Sequence, residues 1–225
     1  SLRLVYQPQC DGQGRLVGAE ALLRWRDPLH GVVAPSRFVP LAERSGLIHQ
    51  LGSWVLEAVC RQLRAWLDAG LQPPRLAVNL SPRQFEGAGP TPTDQVAAAL
   101  ERHGLPPALL ELELTESCIL PAGGVIPQVQ DLAAMGVALA LDDFGTGYSS
   151  LAVLNRLPIH KLKIDRSFIR NLESSASART IVSTALAMGS GLGLVTLAEG
   201  VETAGQLAVL ESLGCQTYQG YWFSR

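Results

Sequence analysis

Apolar residues fall in short runs of strand length at 3–9, 16–25, 75–80, 109–115, 137–142, 160–164, 194–199 and 215–219. Between most of them, apolar positions recur at helical spacing, over 36–44, 47–69, 93–103, 125–135, 149–156, 177–190 and 203–213. That alternation predicts βα units. The first two runs are separated only by the turn sequence Asp11-Gly12-Gln13-Gly14, so they pair antiparallel as a hairpin. Every later pair has enough intervening chain for a crossover helix. Gly70, Gly104, Gly136 and Gly214 close helical stretches, as C-terminal glycines do. The expected fold is α/β, a modified (β/α)8 barrel of TIM type with an antiparallel first strand. A doubly wound open sheet is the alternative, because periodicity does not report closure. No domain boundary interrupts 1–225; the stretch 86–92 is a surface loop, too short for a linker. The chain opens directly on the strand-like Leu2-Arg3-Leu4-Val5-Tyr6, so it is expected to be a single domain from a longer protein.

Polar residues break this pattern at the strand ends. Asn79 follows Leu76-Ala77-Val78, Asp142 and Asp143 close 137–141, and Lys163 and Asp165 lie in Lys161-Leu162-Lys163-Ile164-Asp165. Glu199 ends 195–198, Gln219 follows Thr217-Tyr218, and Leu110-Glu111-Leu112-Glu113 carries two acidic positions between which sequence alone does not choose. In 16–25, Val17, Ala19, Ala21, Leu23 and Trp25 make an apolar face, while Glu20 and Arg24 share the other, roughly 13 Å apart at strand spacing. One charged residue at a strand end means only that the strand has reached water. Several strands ending in carboxylate, amide or ammonium groups mark the C-terminal rim where barrel active sites form.

Charge sharpens the reading. Glu20, Glu113, Asp142, Asp143 and Glu199 would crowd five negative charges against Lys163, with Arg24 as a second candidate cation. Such carboxylates raise one another's pKa unless cations sit among them. Two divalent ions together with Lys163 would balance the five. All the donors are oxygens, which favours Mg²⁺ or Mn²⁺ over zinc, and adjacent Asp142 and Asp143 suit a bridge between paired ions.

Composition mainly excludes. A net charge of -2 gives no cationic surplus for polymeric nucleic acid or anionic lipid. Cys10, Cys60, Cys118 and Cys215 form no C-x-x-C pair and are read as reduced thiols of a cytosolic domain; His30, His49, His103 and His160 have no metal-ligand spacing. No apolar run approaches the roughly 20 residues of a membrane span, and any anchor would belong to segments outside these residues. Asp143-Phe144-Gly145 spells a kinase triad without the remaining kinase motifs, and Gly189-Ser190-Gly191-Leu192-Gly193 precedes a strand instead of following one.

The motifs Tyr6-Gln7-Pro8, Glu20-Ala21-Leu22-Leu23-Arg24-Trp25, Pro35-x-x-Phe38-Val39-Pro40-Leu41-Ala42-Glu43 and Asn79-Leu80-Ser81 occur in order. They are followed by Glu113-Leu114-Thr115-Glu116-Ser117, Asp142-Asp143-Phe144-Gly145-Thr146-Gly147-Tyr148-Ser149-Ser150, Lys161-Leu162-Lys163-Ile164-Asp165, Glu199-Gly200-Val201-Glu202-Thr203 and Gln219-Gly220-Tyr221. Together they resemble the EAL-domain cyclic di-GMP phosphodiesterases across essentially the whole chain. The resemblance implies a barrel with a reversed first strand and metal-dependent hydrolysis of cyclic di-GMP to linear pGpG; a non-catalytic cyclic di-GMP receptor is the alternative. It chooses Glu113 over Glu111. It implies that Glu20, Asn79, Glu113 and Asp142 hold one metal and that Asp142, Asp143 and Glu199 surround a second, with Glu199 also assigned as general base. Lys163, near Asp165, would act on the attacking water, and Glu202 and Gln219 would place water, base or loop. Gln7, Arg24, Asp143 and Glu202 would contact substrate. Glu116, with Phe144 and Gly145, would support the 144–150 loop and, through it and a neighbouring helix, a homodimer. The segment 120–124 is about one residue shorter than the family pattern, which touches local loop shape and no ligand.

Overall fold

Asp11 turns the chain. Its carbonyl accepts the Gly14 N–H, and its Oδ1 accepts the N–H groups of Gln13 and Arg15, each at 2.9 Å. Gly14 takes a φ of 75°, which a side chain would resist. The result is the antiparallel hairpin of β1 (Leu2–Asp11) and β2 (Leu16–Asp27). The computed structural model describes residues 1–87, 89–119, 125–145, 154 and 157–224.

From β2 the strands run parallel: β4 (Arg75–Leu80), β5 (Leu110–Thr115), β6 (Ala138–Phe144), β7 (Lys161–Ile164), β8 (Val195–Glu199) and β9 (Thr217–Gln219). β9 then pairs antiparallel with β1, Gln9 opposite Gln219, and the sheet closes. Eight strands form the barrel with β1 alone reversed, so the open-sheet alternative is removed. The short β3 (Gly31–Val33), which the apolar pattern did not predict, adds to the far end of β2 outside the ring.

The helices are α1 (Pro35–Ser45), α2 (Ile48–Asp68), α3 (Pro92–His103), α4 (Glu116–Ile119), α5 (Val125–Ala134), α6 (Arg166–Arg170), α7 (Ala176–Gly191) and α8 (Ala204–Ser212). Six match expected stretches. The expected helix at 149–156 lies outside the described residues apart from Leu154. α4 and α6 follow strands directly and are too short to show a period. Local chemistry fixes several starts: Thr91 and Asp94 form a capping box on α3, and Thr203 and Gln206 form one on α8. None of these helices is long and apolar enough to cross a membrane.

Strand alternation divides the core in two. Leu76, Val78, Leu110, Leu112, Leu114, Leu139, Leu141, Leu162 and Ile164 face the helices in the apolar shell. The opposite positions point into the barrel, where Glu111 and Glu113 of β5 reach Lys161 and Lys163 of β7 across the intervening β6. The barrel interior is therefore polar, in stacked layers, with Lys163 among the largest fully buried side chains.

Candidate metal centre

Lys163 stands at the middle of the site. Its Nζ lies 2.8 Å from Glu113 Oε2, 2.8 Å from Glu199 Oε1, 3.2 Å from Asp142 Oδ1 and 3.5 Å from Glu20 Oε2. Those four carboxylates come from β5, β8, β6 and β2; Glu113, Asp142 and Glu199 lie at or near the C-terminal ends of their strands, and Glu20 lies within the longer β2. Asn79 on β4 donates its Nδ2 to Glu20 Oε1 at 2.6 Å, leaving its carbonyl oxygen as the group available to a hard cation. Gln219 on β9 donates to the other Glu20 oxygen, also at 2.6 Å, and to Gln7 Oε1 at 3.2 Å.

Asp143 joins by breaking its strand. Alternation points Asp142 inward and would point Asp143 away, but Asp143 takes a φ of 54°, and the pairing of β6 with β7 shifts register there. One oxygen each from Asp142, Asp143 and Glu199 consequently lies within 4.8 Å of the others. A side chain in this left-handed region costs about 1 kcal/mol or more, a strain that clusters at functional sites.

The charge imbalance shows in proton affinities. Burial, then the Glu20 charge, pushes the Glu113 carboxyl well above its usual range. Burial, against Lys163 and with Asp142 and Glu20, raises Glu199 to about 8. Burial and the charges of Asp142 and Asp165 raise Asp143 to about 6. Burial opposes ionisation of Glu20 too, yet Lys163, Gln219 and Asn79 hold it below the usual value. Lys163 is kept charged despite burial by Glu113, Glu199, Glu20 and Asp142. Neither oxygen of Glu113 accepts a hydrogen bond of good geometry. An excess of buried carboxylate, oxygen donors throughout and an orphaned buried acceptor all fit a divalent cation.

The other expected residues are distributed around this centre. Asp165 is half-buried, caps α6 by accepting the Ser167 N–H at 3.0 Å, and contributes to the raised pKa of Asp143. Glu202 is exposed, with its backbone N–H held by Gln206. Gln7 is half-buried beside Gln219. Arg24 donates its guanidinium to the Leu23 carbonyl and forms no ion pair among the described residues. Lys163 is the cation seated among the carboxylates. Glu116 is buried and accepts the Gly145 N–H at 2.9 Å, while Phe144 ends β6. The remainder of the 144–150 loop lies outside the described residues. A cleft of about 600 Å³ is bordered by Leu22, Pro40, Glu43, Asn79 and Ser81, so that it adjoins the centre at Asn79. Glu111 lies one layer deeper, paired with Lys161 at 2.6 Å and Arg75 at 3.6 Å. Sequence reasoning missed Gln9, Glu111 and Lys161 as a buried polar group; the period of two, which places them with Gln7, Glu113 and Lys163, was the available signal.

The model of the EAL domain matches residues 1–225. The chain belongs to the EAL domain family. This EAL domain is 49% identical over 226 residues to the bifunctional diguanylate cyclase/cyclic di-GMP phosphodiesterase MucR of Pseudomonas aeruginosa, covering 100% of the chain and 33% of that protein. It is 45% identical to the cyclic di-GMP phosphodiesterase NbdA of the same organism, covering 100% of the chain and 29% of that protein. It thus spans about a third of the length of these curated relatives. Among solved structures, PaMucR phosphodiesterase in complex with c-di-GMP superposes with a TM-score of 0.94 at 48% identity, covering 100% of this domain and 91% of that chain. The FimX EAL domain from Pseudomonas aeruginosa bound to c-di-GMP gives 0.87 at 26% identity, covering 99% and 89%.

Proposed function

We propose that this EAL domain, a single domain over 1–225 of a longer protein, hydrolyses one 3′–5′ phosphodiester bond of cyclic di-GMP in the cytoplasm and releases linear pGpG. The observation that carries the reading is the convergence of Glu20, Glu113, Asp142, Asp143 and Glu199 around one buried ammonium at the barrel rim. Relatives and neighbours named for this nucleotide support the substrate.

Glu20, Asn79, Glu113 and Asp142 would hold one divalent ion, and Asp142, Asp143 and Glu199 a second, Mg²⁺ or Mn²⁺ at each. Such a pair, when bound, makes water a nucleophile at neutral pH and stabilises charge on the attacking and leaving oxygens. Lys163, fixed between Glu113 and Glu199, offsets one negative charge and donates toward the attacking water. Glu199, raised to about 8 without metal, would give up its proton when cations offset the crowded charge and would then be the base that accepts the water's proton. Asp165 keeps the start of α6 in place beside Asp143. Gln219 holds Glu20, and Glu202 at the open rim places loop and substrate. Gln7, Arg24, Asp143 and Glu202 contact the nucleotide, whose body occupies the cleft beside Asn79. Glu116 steadies Phe144 and Gly145, through which, with a neighbouring helix, two copies would pair.

Incubation with cyclic di-GMP and Mg²⁺ or Mn²⁺, followed by chromatography, tests this. Linear product is expected. Binding without product overturns the enzyme in favour of a receptor.

A further inference from the structure

Below the metal centre, two buried glutamines connect a cation to a metal-facing carboxylate. Lys161 Nζ donates to Gln9 Oε1 at 2.8 Å and to Glu111 at 2.6 Å. Gln9 Nε2 donates to Gln219 Oε1 at 3.1 Å, and Gln219 Nε2 donates to Glu20 Oε2 at 2.6 Å. Gln9 is 1% exposed and Gln219 4%. The two are direct partners across the β1–β9 ladder that closes the barrel. On the other side of β1, Gln9 faces Gly18 of β2, where a Cβ would approach Gln9 Oε1 to 2.6 Å. The absence of a side chain at that register position is what admits the Gln9 amide to the barrel interior.

The direction of this chain is determined by its ends. An ammonium only donates and an ionised carboxylate only accepts. A carboxamide can turn over with little change of shape, but an amide that accepts from Lys161 must offer its N–H₂ onward. The next amide must then accept and offer its own N–H₂ to Glu20. Both buried glutamines thus have a single satisfied orientation. The opposite orientation of Gln219 would set a carbonyl oxygen against Glu20.

We infer that Lys161 and Gln9 are positioning residues that fix the polarity of the Gln219 amide, and through it the Glu20 carboxylate, so setting the affinity of the centre for a divalent cation. The inference rests on the reading of Glu20 as a metal ligand. Partners that orient a ligand in this way are worth tenfold or more in metal affinity.

Gln9→Glu tests it with no change of shape. The introduced carboxylate accepts from Lys161 but has no donor for Gln219 Oε1, so it draws the Gln219 N–H₂ away from Glu20. The readout is the Mn²⁺ dissociation constant, measured by calorimetry on the substrate-free protein, with a thermal melt beside it. The expected result is weakening by roughly tenfold, with KM for cyclic di-GMP unchanged at saturating Mn²⁺. An added negative charge acting only through its field would tighten the cation instead, so the sign separates the two effects. If the variant does not fold, Gln9→Met, which is neutral and cannot donate, decides in its place, and weakening is again expected. A folded variant that binds Mn²⁺ as tightly as the unaltered protein, or more tightly, overturns the relay. An unaltered protein that takes up no Mn²⁺ overturns the metal reading and the relay with it.

Discussion

Asp142 and Asp143 are adjacent in sequence but meet the centre by different means. Asp142 continues the inward alternation of β6, whereas Asp143 reaches it through a φ of 54°, with its N–H donated to Asp142 Oδ1 at 2.9 Å. Asp143 carries both backbone strain and repulsion from the charges of Asp142 and Asp165. Asp143→Asn keeps the shape, tolerates the left-handed backbone and removes one of the crowded charges. The metal-free variant is expected to melt at a higher temperature than the unaltered protein while binding Mn²⁺ at least about tenfold more weakly. Calorimetry and a thermal melt on the same sample check both signs; a loss on both counts would contradict the account of stored repulsion.

Excess chelator should abolish hydrolysis, and Mg²⁺ or Mn²⁺ should restore it. Glu20→Ala removes a carboxylate that accepts from both Asn79 and Gln219 and lies 3.5 Å from Lys163. A fall in kcat of about a hundredfold or more is expected, on the scale of losing one pre-organised electrostatic group. Full activity in chelator, or a near-normal rate for Glu20→Ala, would count against the metal mechanism.

Much of this site was legible in the sequence. The period of two and the Asp11–Gly14 turn gave the hairpin, and the polar strand ends gave the rim. The pattern could not show closure, because closure depends on Gln9 meeting Gln219, a pairing between strands 210 positions apart. Nor could it give β3, α4 or α6, whose lengths are below one reliable period. It made Lys163 the cation opposing the carboxylates but could not show it in contact with four of them, since that requires β2, β5, β6 and β8 to face one point.

Metal uptake should depend on pH with a definite sign. Glu199 has its pKa raised to about 8, and Glu113 lies well above the usual carboxylate range. Without metal, Glu199 therefore holds a proton at neutral pH and Glu113 has a heightened affinity for one, and a cation must displace such protons. Mn²⁺ binding at pH 7 is expected to release protons, and its affinity to rise from pH 6 to pH 8, where Glu199 ionises unaided. Calorimetry in buffers of different ionisation enthalpy counts the protons. An affinity flat over that window would mean that these carboxyls are already ionised.

Glu116 offers the sharpest separation of support from chemistry. It is buried at the start of α4, and its Oε1 accepts the Gly145 N–H at the end of β6. Gly145 itself has a φ of 96°, and a Cβ there would come within 2.8 Å of the Phe168 ring, so the backbone has little freedom to find another partner. Glu116→Ala leaves that N–H unsatisfied, a loss of about 1–3 kcal/mol if it remains dry. Glu116→Gln keeps an acceptor of the same reach. The alanine variant is expected to lose turnover, and its dimer fraction by light scattering, while its Mn²⁺ affinity stays within about twofold, because no proposed ligand changes its partners. The glutamine variant should retain both. Equal damage from the two would show that the charge of Glu116 matters more than its hydrogen bond, and lost Mn²⁺ affinity would place it in the metal centre.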